Sequence, residues 1–463
     1  MSDKQIHVLK SYYRCPAEYD VFAAPRITTA PTGFFKFGKD TVCYGRNVSG
    51  FSEPMVDANL HDVMNSVVRD GPNVLLPFDA GEVIENLRRE RYISSEKSAM
   101  LANTTQKIYY TLRPLMPVGF RKHLQKLYLN RWRRIAFPRW PVDRTVEGMF
   151  EQLVHLSIGP GSERMPFVWF WPGGASGCLM MTHDIETTYG RDLSLELADL
   201  DASFGIKSAF QVVPLDRYTV SEAFLESLRT HGREINLHGL RHDGQLFRDR
   251  AKFEKDVKEI NRYAKEYGAA GFRSPVLYRN LDWYDDFDVS YDMSVPNVAH
   301  LDPQRGGCCT VMPYFIGHIL ELPLTTTQDY SLFHVLGNSS IDLWKVQIAM
   351  ILEKHGLISF NIHPDYIMAE PYRSIYRQLL DHLRRICAER NIWIALPGEV
   401  DQWWRQRQEM HVVQDGNAFR IVGPHAERAV LAYARRENGS VTYELLHQSG
   451  KSVSASSKKH IYN

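Results

Sequence analysis

Residues 177–186 read Gly-Cys-Leu-Met-Met-Thr-His-Asp-Ile-Glu, a short apolar run that ends directly in histidine and carboxylate side chains. An apolar run of this length predicts a buried strand, and the stretch 193–204 after it predicts a helix. Further strands are predicted at 208–213, 234–237, a segment ending at 272, 357–362 and 392–396, and further helices at 221–230, 253–267, 341–355 and 372–389. Repeated strand–helix units indicate a parallel sheet, and this many in one domain favour a (β/α) barrel.

The sequence on either side of these units has a different pattern. With 463 residues, the chain is longer than one hydrophobic core usually organises. Residues 1–165 mix short strand-like pieces with helical stretches, which predicts an N-terminal α+β region. From 409 onward short apolar strands alternate with turns, of which Asp415-Gly416 and Asn438-Gly439 are typical of hairpins. We therefore expect a barrel over 166–408 and a small β appendage with a loose tail over 409–463.

Composition narrows the classes of function and the compartment. Apolar residues make up 44% and charged residues 24%, and the net charge of +1 gives no general attraction to nucleic acid. The opening Met-Ser-Asp-Lys-Gln is not followed by the apolar core of a secretion signal. The apolar stretch 167–181 is too short, and too interrupted by proline and glycine, to span a bilayer. Six cysteines without a Cys-x-x-Cys pair are typical of reduced thiols, so a cytoplasmic protein is expected.

Polar side chains follow four of the predicted strands at the points where those strands end. In a barrel of parallel strands, catalytic groups sit at the carboxyl ends of the strands. The residues at these ends are Asp184 and Glu186, His238 and His242, Arg273, and His363. Each has a simpler explanation, as a helix cap, a surface histidine pair, a turn residue or a core histidine. Their joint placement after successive strands favours one common site.

These residue types match the requirements of a hydrolytic metal site. Such a site commonly takes three nitrogen or oxygen ligands and leaves a position for water. His238 and His242 are four residues apart and supply two ligands, and one carboxylate from the first strand end supplies the third. The other carboxylate is then available as general base, and His363 as the acid that protonates the leaving amine. Bound water becomes a nucleophile because the metal lowers its pKa toward about 7.

The four segments resemble the motifs of a known family, the polysaccharide deacetylases with a NodB-homology domain (carbohydrate esterase family four). Its Thr-x-Asp-Asp motif is similar to 182–186, its His-Ser/Thr-x-x-His motif to 238–242, its Arg-x-Pro motif to 273–275 and its Leu-x-x-His motif to 360–363. The resemblance covers roughly 170–400, about half of the chain. It implies a distorted (β/α)7 barrel that binds a divalent metal, often zinc, and removes an N-acyl group from a sugar.

The chain departs from the family pattern at two places that affect the assignment of roles. Ile185 stands where the family has its second Asp, so the resemblance makes Glu186 the metal ligand and Asp184 the base, held by Arg273; Asp184 as a ligand remains the alternative. The family's Asp-Trp motif, which orients the catalytic histidine, has no clear counterpart here. Asp282 in Asp282-Trp283 and Asp292 are equal candidates for the carboxylate that fixes the tautomer of His363.

The N-terminal region contains a basic stretch. Residues 113–139 include eight Lys or Arg and no acidic residue. A solvated helix face is the favoured interpretation. Because Trp132, Phe137 and Trp140 lie among the arginines, peripheral contact with the inner membrane face is the alternative.

Three hypotheses about function follow from these residues. The first is an N-deacetylase acting on an N-acetylated sugar, such as a lipid- or nucleotide-linked precursor in cell-surface polysaccharide or glycolipid biosynthesis. The second keeps the metal site, with zinc as the expected ion, but hydrolyses a non-sugar linear or cyclic amide. The third is a non-catalytic glycan-binding protein on a decayed deacetylase barrel, for which the isoleucine at position 185 is the main support.

Overall fold

The structure is a computed structural model that describes residues 4–25, 27, 29–57, 59–93, 132–158, 164–437, 439–446 and 452–454. Most of the basic stretch 113–139, for which a solvated helix face is the favoured interpretation, lies outside the described residues. Within the described chain, no helix combines the length and apolarity that crossing a bilayer requires.

The helices of the described chain are α1 (Val8–Tyr13), α2 (Ala80–Arg88), α3 (Thr145–Ser157), α4 (Thr188–Ser203), α5 (Glu222–Thr230), α6 (Arg250–Tyr267), α7 (Asp342–Leu352), α8 (Pro364–Ile367), α9 (Tyr372–Arg390) and α10 (Pro397–Glu409). The strands are β1 (Lys4–Ile6), β2 (Phe22–Ala24), β3 (Gly33–Lys36), β4 (Val42–Gly45), β5 (Val68–Asp70), β6 (Asn73–Leu75), β7 (Arg164–Val168), β8 (Cys178–Ile185), β9 (Ser208–Val212), β10 (Glu234–His238), β11 (Gly271–Arg273), β12 (Tyr291–Asp292), β13 (Tyr314–Ile316), β14 (Ile319–Glu321), β15 (Leu357–Ile362), β16 (Trp393–Ile394), β17 (His411–Asp415), β18 (Ala418–Val422), β19 (Leu431–Glu437), β20 (Ser440–Leu446) and β21 (Ser452–Ser454).

The central sheet has the order β13-β14-β12-β11-β10-β9-β8-β15, and β16 also pairs with β8. All of its pairings are parallel except that of β13 with β14. Every residue of β8 is buried, as expected of a strand covered on both faces. The register places His238 opposite Arg273 and His183 opposite Ile362, so the polar strand ends meet at one edge of the sheet.

The alternating α/β architecture with a parallel sheet agrees with the sequence prediction. A closed barrel is not formed by the strand pairings of the described residues, because neither β13 nor β14, the hairpin at one end of the sheet, pairs with β15 at the other end. Residues 325–327, which follow β14 and which we call the threonine segment, lie between β14 and β15 instead. Thr326 N donates to Ser359 O at 3.2 Å, and Thr325 Oγ1 donates to Leu357 O at 2.7 Å. The segment lies along β15 without becoming a regular strand.

Helix ends in this region follow from local sequence. The Thr187 side chain accepts a hydrogen bond from Gly190 N and caps α4 directly after the first strand end. Asp249 caps α6 in the same way, and Gly268 ends α6 in the left-handed conformation. These caps fix where each helix leaves the sheet, and therefore where the strand ends lie.

The N-terminal elements pack against the sheet through a shared core. β1, β2, β6 and β5 form one small sheet, and β3 and β4 form a hairpin. The buried Glu90 joins them to the central region, because its Oε2 accepts a hydrogen bond from Arg279 Nε at 2.7 Å. Removing one partner of such a buried pair typically costs about 3–5 kcal/mol. This ion pair therefore ties the N-terminal elements to the loop after β11.

The C-terminal strands form two antiparallel groups. β17 and β18 make a hairpin, and β21, β20, β19 and β7 make a four-stranded sheet. β18, β19 and β20 lie in the part of the chain after 409 where short apolar strands are expected. β7, which precedes β8 in sequence, pairs with β19 in this sheet. The division of the chain near 165 and 408 stays a prediction.

Candidate metal centre

Two carboxylates stand at the end of β8. Side chains alternate along a strand, so Asp184 and Glu186 face the same side while Ile185 faces the other. Ile185 is fully buried in a core cluster of apolar side chains. The Asp-Ile-Glu sequence therefore keeps two carboxylates in the site and places the apolar residue in the core.

Two histidines approach the same point from β10. His238 is the last residue of that strand, and His242 lies in the turn that follows. His242 Nε2 is 2.8 Å and His238 Nε2 is 3.7 Å from Glu186 Oε1. Glu186, His238 and His242 each offer a ligand atom, and these atoms all lie within 4.8 Å of one another.

The second nitrogen of each ring has a neighbour. His238 Nδ1 lies 3.2 Å from the carbonyl oxygen of Arg273, which can only accept, so the ring proton sits on Nδ1 and the Nε2 lone pair faces the carboxylates. His242 Nδ1 lies 3.1 Å from Arg217 Nη2, which also donates to the carbonyl oxygen of His242 at 2.6 Å. A guanidinium can only donate a hydrogen bond. If a cation binds His242 Nε2, the ring proton must lie on Nδ1, and Arg217 then donates only to the carbonyl oxygen of His242.

This donor set fits a divalent cation. Within the described chain, His238 Nε2 and His242 Nε2 are buried and neither is in a hydrogen bond of normal geometry, although both face Glu186 Oε1. Two imidazole nitrogens and one carboxylate oxygen are the ligand types of hydrolytic zinc sites, which keep a position open for water. The Glu186 side chain is 19% exposed, so the centre is also accessible from solvent.

Asp184 is held by two donors. Arg273 Nη1 donates to its Oδ1 and Asn361 Nδ2 to its Oδ2, both at 2.8 Å. Burial by itself disfavours the charged carboxylate, but Arg273 and the nearby histidines outweigh it and lower the pKa of Asp184 to about 2. Asp184 is thus an oriented, ionised carboxylate, as a general base requires.

His363 follows β15 and has its own carboxylate partner. Its Nδ1 is 2.7 Å from Asp329 Oδ1, and its Nε2 is 3.5 Å from Glu186 Oε1 and 3.9 Å from Asp184 Oδ2. Burial opposes protonation of the ring, yet Asp329 and Glu186 prevail and raise the pKa of His363 well above its usual value. The ring therefore carries a proton toward the centre.

The expectation that Asp292 orients His363 is wrong in this structure. Asp292 accepts hydrogen bonds from Tyr284 OH at 3.1 Å, Ser294 N at 2.9 Å and Ser294 Oγ at 2.7 Å. These hydrogen bonds occupy both carboxylate oxygens of Asp292 within a structural network at the end of β12, and none of them involves His363. The other candidate, Asp282, forms a surface ion pair with Arg89 at 3.1 Å.

Sequence reasoning missed Asp329 and the amide pair that supports Asp184. Asn361 also donates to Gln328 Oε1 at 3.2 Å, and Gln328 Nε2 donates to Asp302 Oδ1 at 3.1 Å. Asp329 and Gln328 come after the threonine segment, which has neither the apolar run nor the period of a strand. The sequence signal that was available is the polar pair Gln328-Asp329, which lies in the sequence between the strands that lead to Arg273 and to His363.

Solved structures of known proteins are similar to about half of the chain. A candidate polysaccharide deacetylase from Mycobacterium smegmatis is 18% identical, with 51% of this chain and 93% of that one covered and a TM-score of 0.40. Puue allantoinase is 14% identical, with 54% and 96% covered and a TM-score of 0.39. A family 4 acetyl xylan esterase from Clostridium thermocellum, in complex with a cobalt ion, is 14% identical, with 49% and 91% covered and a TM-score of 0.30.

No family model and no curated protein matches the chain. Polysaccharide deacetylases and family 4 esterases, which the sequence motifs resemble, are thus also among the structures similar to it. All three TM-scores lie below 0.5, so the chemistry of this chain is inferred from its own side chains.

Proposed function

We propose that this protein is a metal-dependent hydrolase that removes an acetyl group from the amino group of a sugar. The observation that carries the proposal is the convergence of ligand atoms from Glu186, His238 and His242 within 4.8 Å. The Asp184–Arg273 pair and the His363–Asp329 pair lie directly beside them. Nitrogen and carboxylate ligands favour zinc among the common divalent ions.

Each residue has a role in this hydrolysis. Glu186, His238 and His242 would hold the cation, which when bound polarises the acyl carbonyl and favours ionisation of water. Asp184 accepts the proton of the attacking water, and Arg273 keeps that carboxylate ionised and oriented. His363 donates its Nε2 proton to the departing sugar amine, because expulsion of an unprotonated amide nitrogen is unfavourable.

Acetate release from a panel of N-acetylated sugars tests the proposal, with one linear and one cyclic non-sugar amide for comparison. We expect release from at least one sugar, and about 10²-fold or greater loss in His238→Ala and Asp184→Asn. His231→Ala is the matched control, because His231 is exposed at the end of α5. Equal rates in wild type and both site variants would contradict the mechanism. Hydrolysis of only the non-sugar amides would favour the second hypothesis.

The cellular setting stays a prediction from the sequence. A lipid- or nucleotide-linked precursor and a cytoplasmic location are expectations from the sequence. Contact of residues 113–139 with anionic lipid is the alternative to a solvated helix face, and its support is the eight basic residues interleaved with aromatic ones. Pelleting with liposomes of graded anionic-lipid content measures it, and equal binding at every lipid charge would remove it.

A further inference from the structure

Three aromatic rings form a triangle beside His363. The ring centroids of Tyr330 and Tyr366 are 5.5 Å apart, those of Tyr330 and His334 are 5.3 Å apart, and those of His334 and Tyr366 are 5.6 Å apart. The Tyr366 ring is 5.3 Å from the His363 ring. All three side chains of the triangle are half-buried, so each also presents surface to solvent. We call these three residues the aromatic wall.

Local structure fixes the aromatic wall to the acid side of the centre. Tyr330 directly follows Asp329, the carboxylate that holds His363, and its backbone N donates to Asp329 Oδ1 at 2.8 Å. Tyr330 immediately precedes a short π-helix, Ser331–Val335, and His334 lies within it. This conformation is often found at functional sites. Tyr366 lies on α8, three residues after His363 itself.

The wall adjoins the proton donor of the centre. The Tyr366 ring is 5.3 Å from the His363 ring, and His363 Nε2 is 3.5 Å from Glu186 Oε1. The wall is therefore at the centre and not on a distant surface.

The chemistry of the reaction determines which part of a substrate lies next to His363. In hydrolysis of an N-acetyl group, water adds to the carbonyl carbon, the C–N bond breaks, and the nitrogen leaves with a proton from the acid. The nitrogen belongs to the sugar, so the sugar ring lies on the side of the acid. Pyranose rings present axial C–H groups that pack against aromatic faces, while tyrosine hydroxyls supply hydrogen bonds at the edges.

We infer that the aromatic wall of Tyr330, His334 and Tyr366 is the subsite for the pyranose ring that carries the scissile acetamido group. This inference rests on the proposed function and specifies it: the substrate is a ring-bearing N-acetylhexosamine unit. A small acyclic acetyl compound makes no use of the wall.

The test compares three variants: Tyr330→Leu/Tyr366→Leu, which removes both aromatic faces, Tyr330→Phe/Tyr366→Phe, which keeps them, and Tyr263→Leu, a control. Tyr263 is a half-buried tyrosine on α6, where it packs against Tyr267.

Two substrates are used: the best N-acetylhexosamine oligosaccharide of the panel, and 2-methoxyethyl acetate, which has no ring. For the leucine variant we expect about a tenfold or greater rise in KM for the sugar, with hydrolysis of the ring-free ester within about twofold of wild type. The control should retain the wild-type KM, and the phenylalanine variant, which loses only the edge hydrogen bonds, should show a smaller rise in KM than the leucine variant.

Saturation-transfer NMR on chelator-treated protein gives a second readout that does not depend on turnover. Transfer to the sugar ring protons is expected in wild type and in the phenylalanine variant, and its loss in the leucine variant.

Unchanged KM and unchanged transfer in the leucine variant would overturn the inference, and acetate release by the wild type would then leave the proposed function standing. Equal losses on both substrates would also overturn it, because they would show that the rings only support His363. If the wild type releases acetate from no sugar, the proposed function fails, and the NMR comparison, then made with N-acetylglucosamine tetramer, still decides whether the wall binds a sugar ring.

Discussion

Asp329 accepts two hydrogen bonds from His363, one from the ring Nδ1 at 2.7 Å through Oδ1 and one from the backbone N at 2.8 Å through Oδ2. The carboxylate thus fixes both the tautomer and the position of the ring. Asp329→Asn removes the charge that favours the protonated imidazole. A smaller fraction of His363 then carries the proton that the leaving amine needs. We expect kcat for acetate release to fall by about 10²-fold or more, with a small change in KM.

Asp292→Asn is the matched control for this substitution. Asp292, the last residue of β12, is also a buried aspartate, but it bonds to Tyr284 and Ser294. It should lower the thermal unfolding temperature without a comparable loss of kcat in the protein that remains folded. A larger kcat effect at Asp292 than at Asp329 would contradict the assignment.

The sequence located the parts of the site that follow regular strands. Asp184, His238 and His363 each come directly after or at the end of an apolar run, and parallel strands bring such positions together. Asp329 and Gln328 could not be found this way, because their position depends on how the threonine segment lies along β15. Strand closure also escaped the pattern, since it depends on backbone pairing between segments distant in sequence.

Metal analysis separates the roles of the two carboxylates of β8. Glu186 Oε1 lies 2.8 Å from His242 Nε2, whereas Asp184 is held by Arg273 and Asn361. Purified wild type should contain about one divalent ion per chain, and Glu186→Gln should lose it or bind it at least about tenfold more weakly. Asp184→Asn should retain the ion and lose activity. If Asp184→Asn loses the ion instead, Asp184 is a ligand; if wild type binds neither zinc nor cobalt, a decayed centre is favoured.

Gly239 occupies a position that only glycine fits. Its φ is +68°, and a Cβ there would lie 2.6 Å from the Pro275 ring, two residues after Arg273. Gly239→Ala should therefore displace either the His238 turn or the Arg273–Pro275 segment. We expect a loss of stability above the roughly 1–2 kcal/mol that left-handed backbone costs alanine, together with weaker metal binding.

Gly232→Ala is the control for backbone conformation. Gly232 has the same φ of +68°, but a Cβ there would meet no atom within 4 Å. Urea unfolding of both variants gives the backbone cost from Gly232→Ala and the steric cost from the difference. Equal losses of unfolding free energy in the two variants would show that Pro275 moves aside without cost. In that case the Ser or Thr that the family motif has at position 239 would not be excluded here by a steric clash.

A buried carboxylate between the N-terminal region and the sheet should make stability depend on pH. Glu147 on α3 accepts a hydrogen bond from Val311 N at 3.2 Å, and burial raises its pKa to about 7, although Arg88 and Lys354 favour the charged form. Between about pH 4.5 and 7 the folded chain keeps a proton that the unfolded chain has released, so stability falls as pH rises through this window. Glu147→Gln mimics the protonated form. It should match wild type near pH 4 and exceed it above pH 7 by on the order of 3 kcal/mol, measured by urea unfolding at each pH. Parallel curves for the two proteins would show that Glu147 ionises in the folded chain as easily as in the unfolded one.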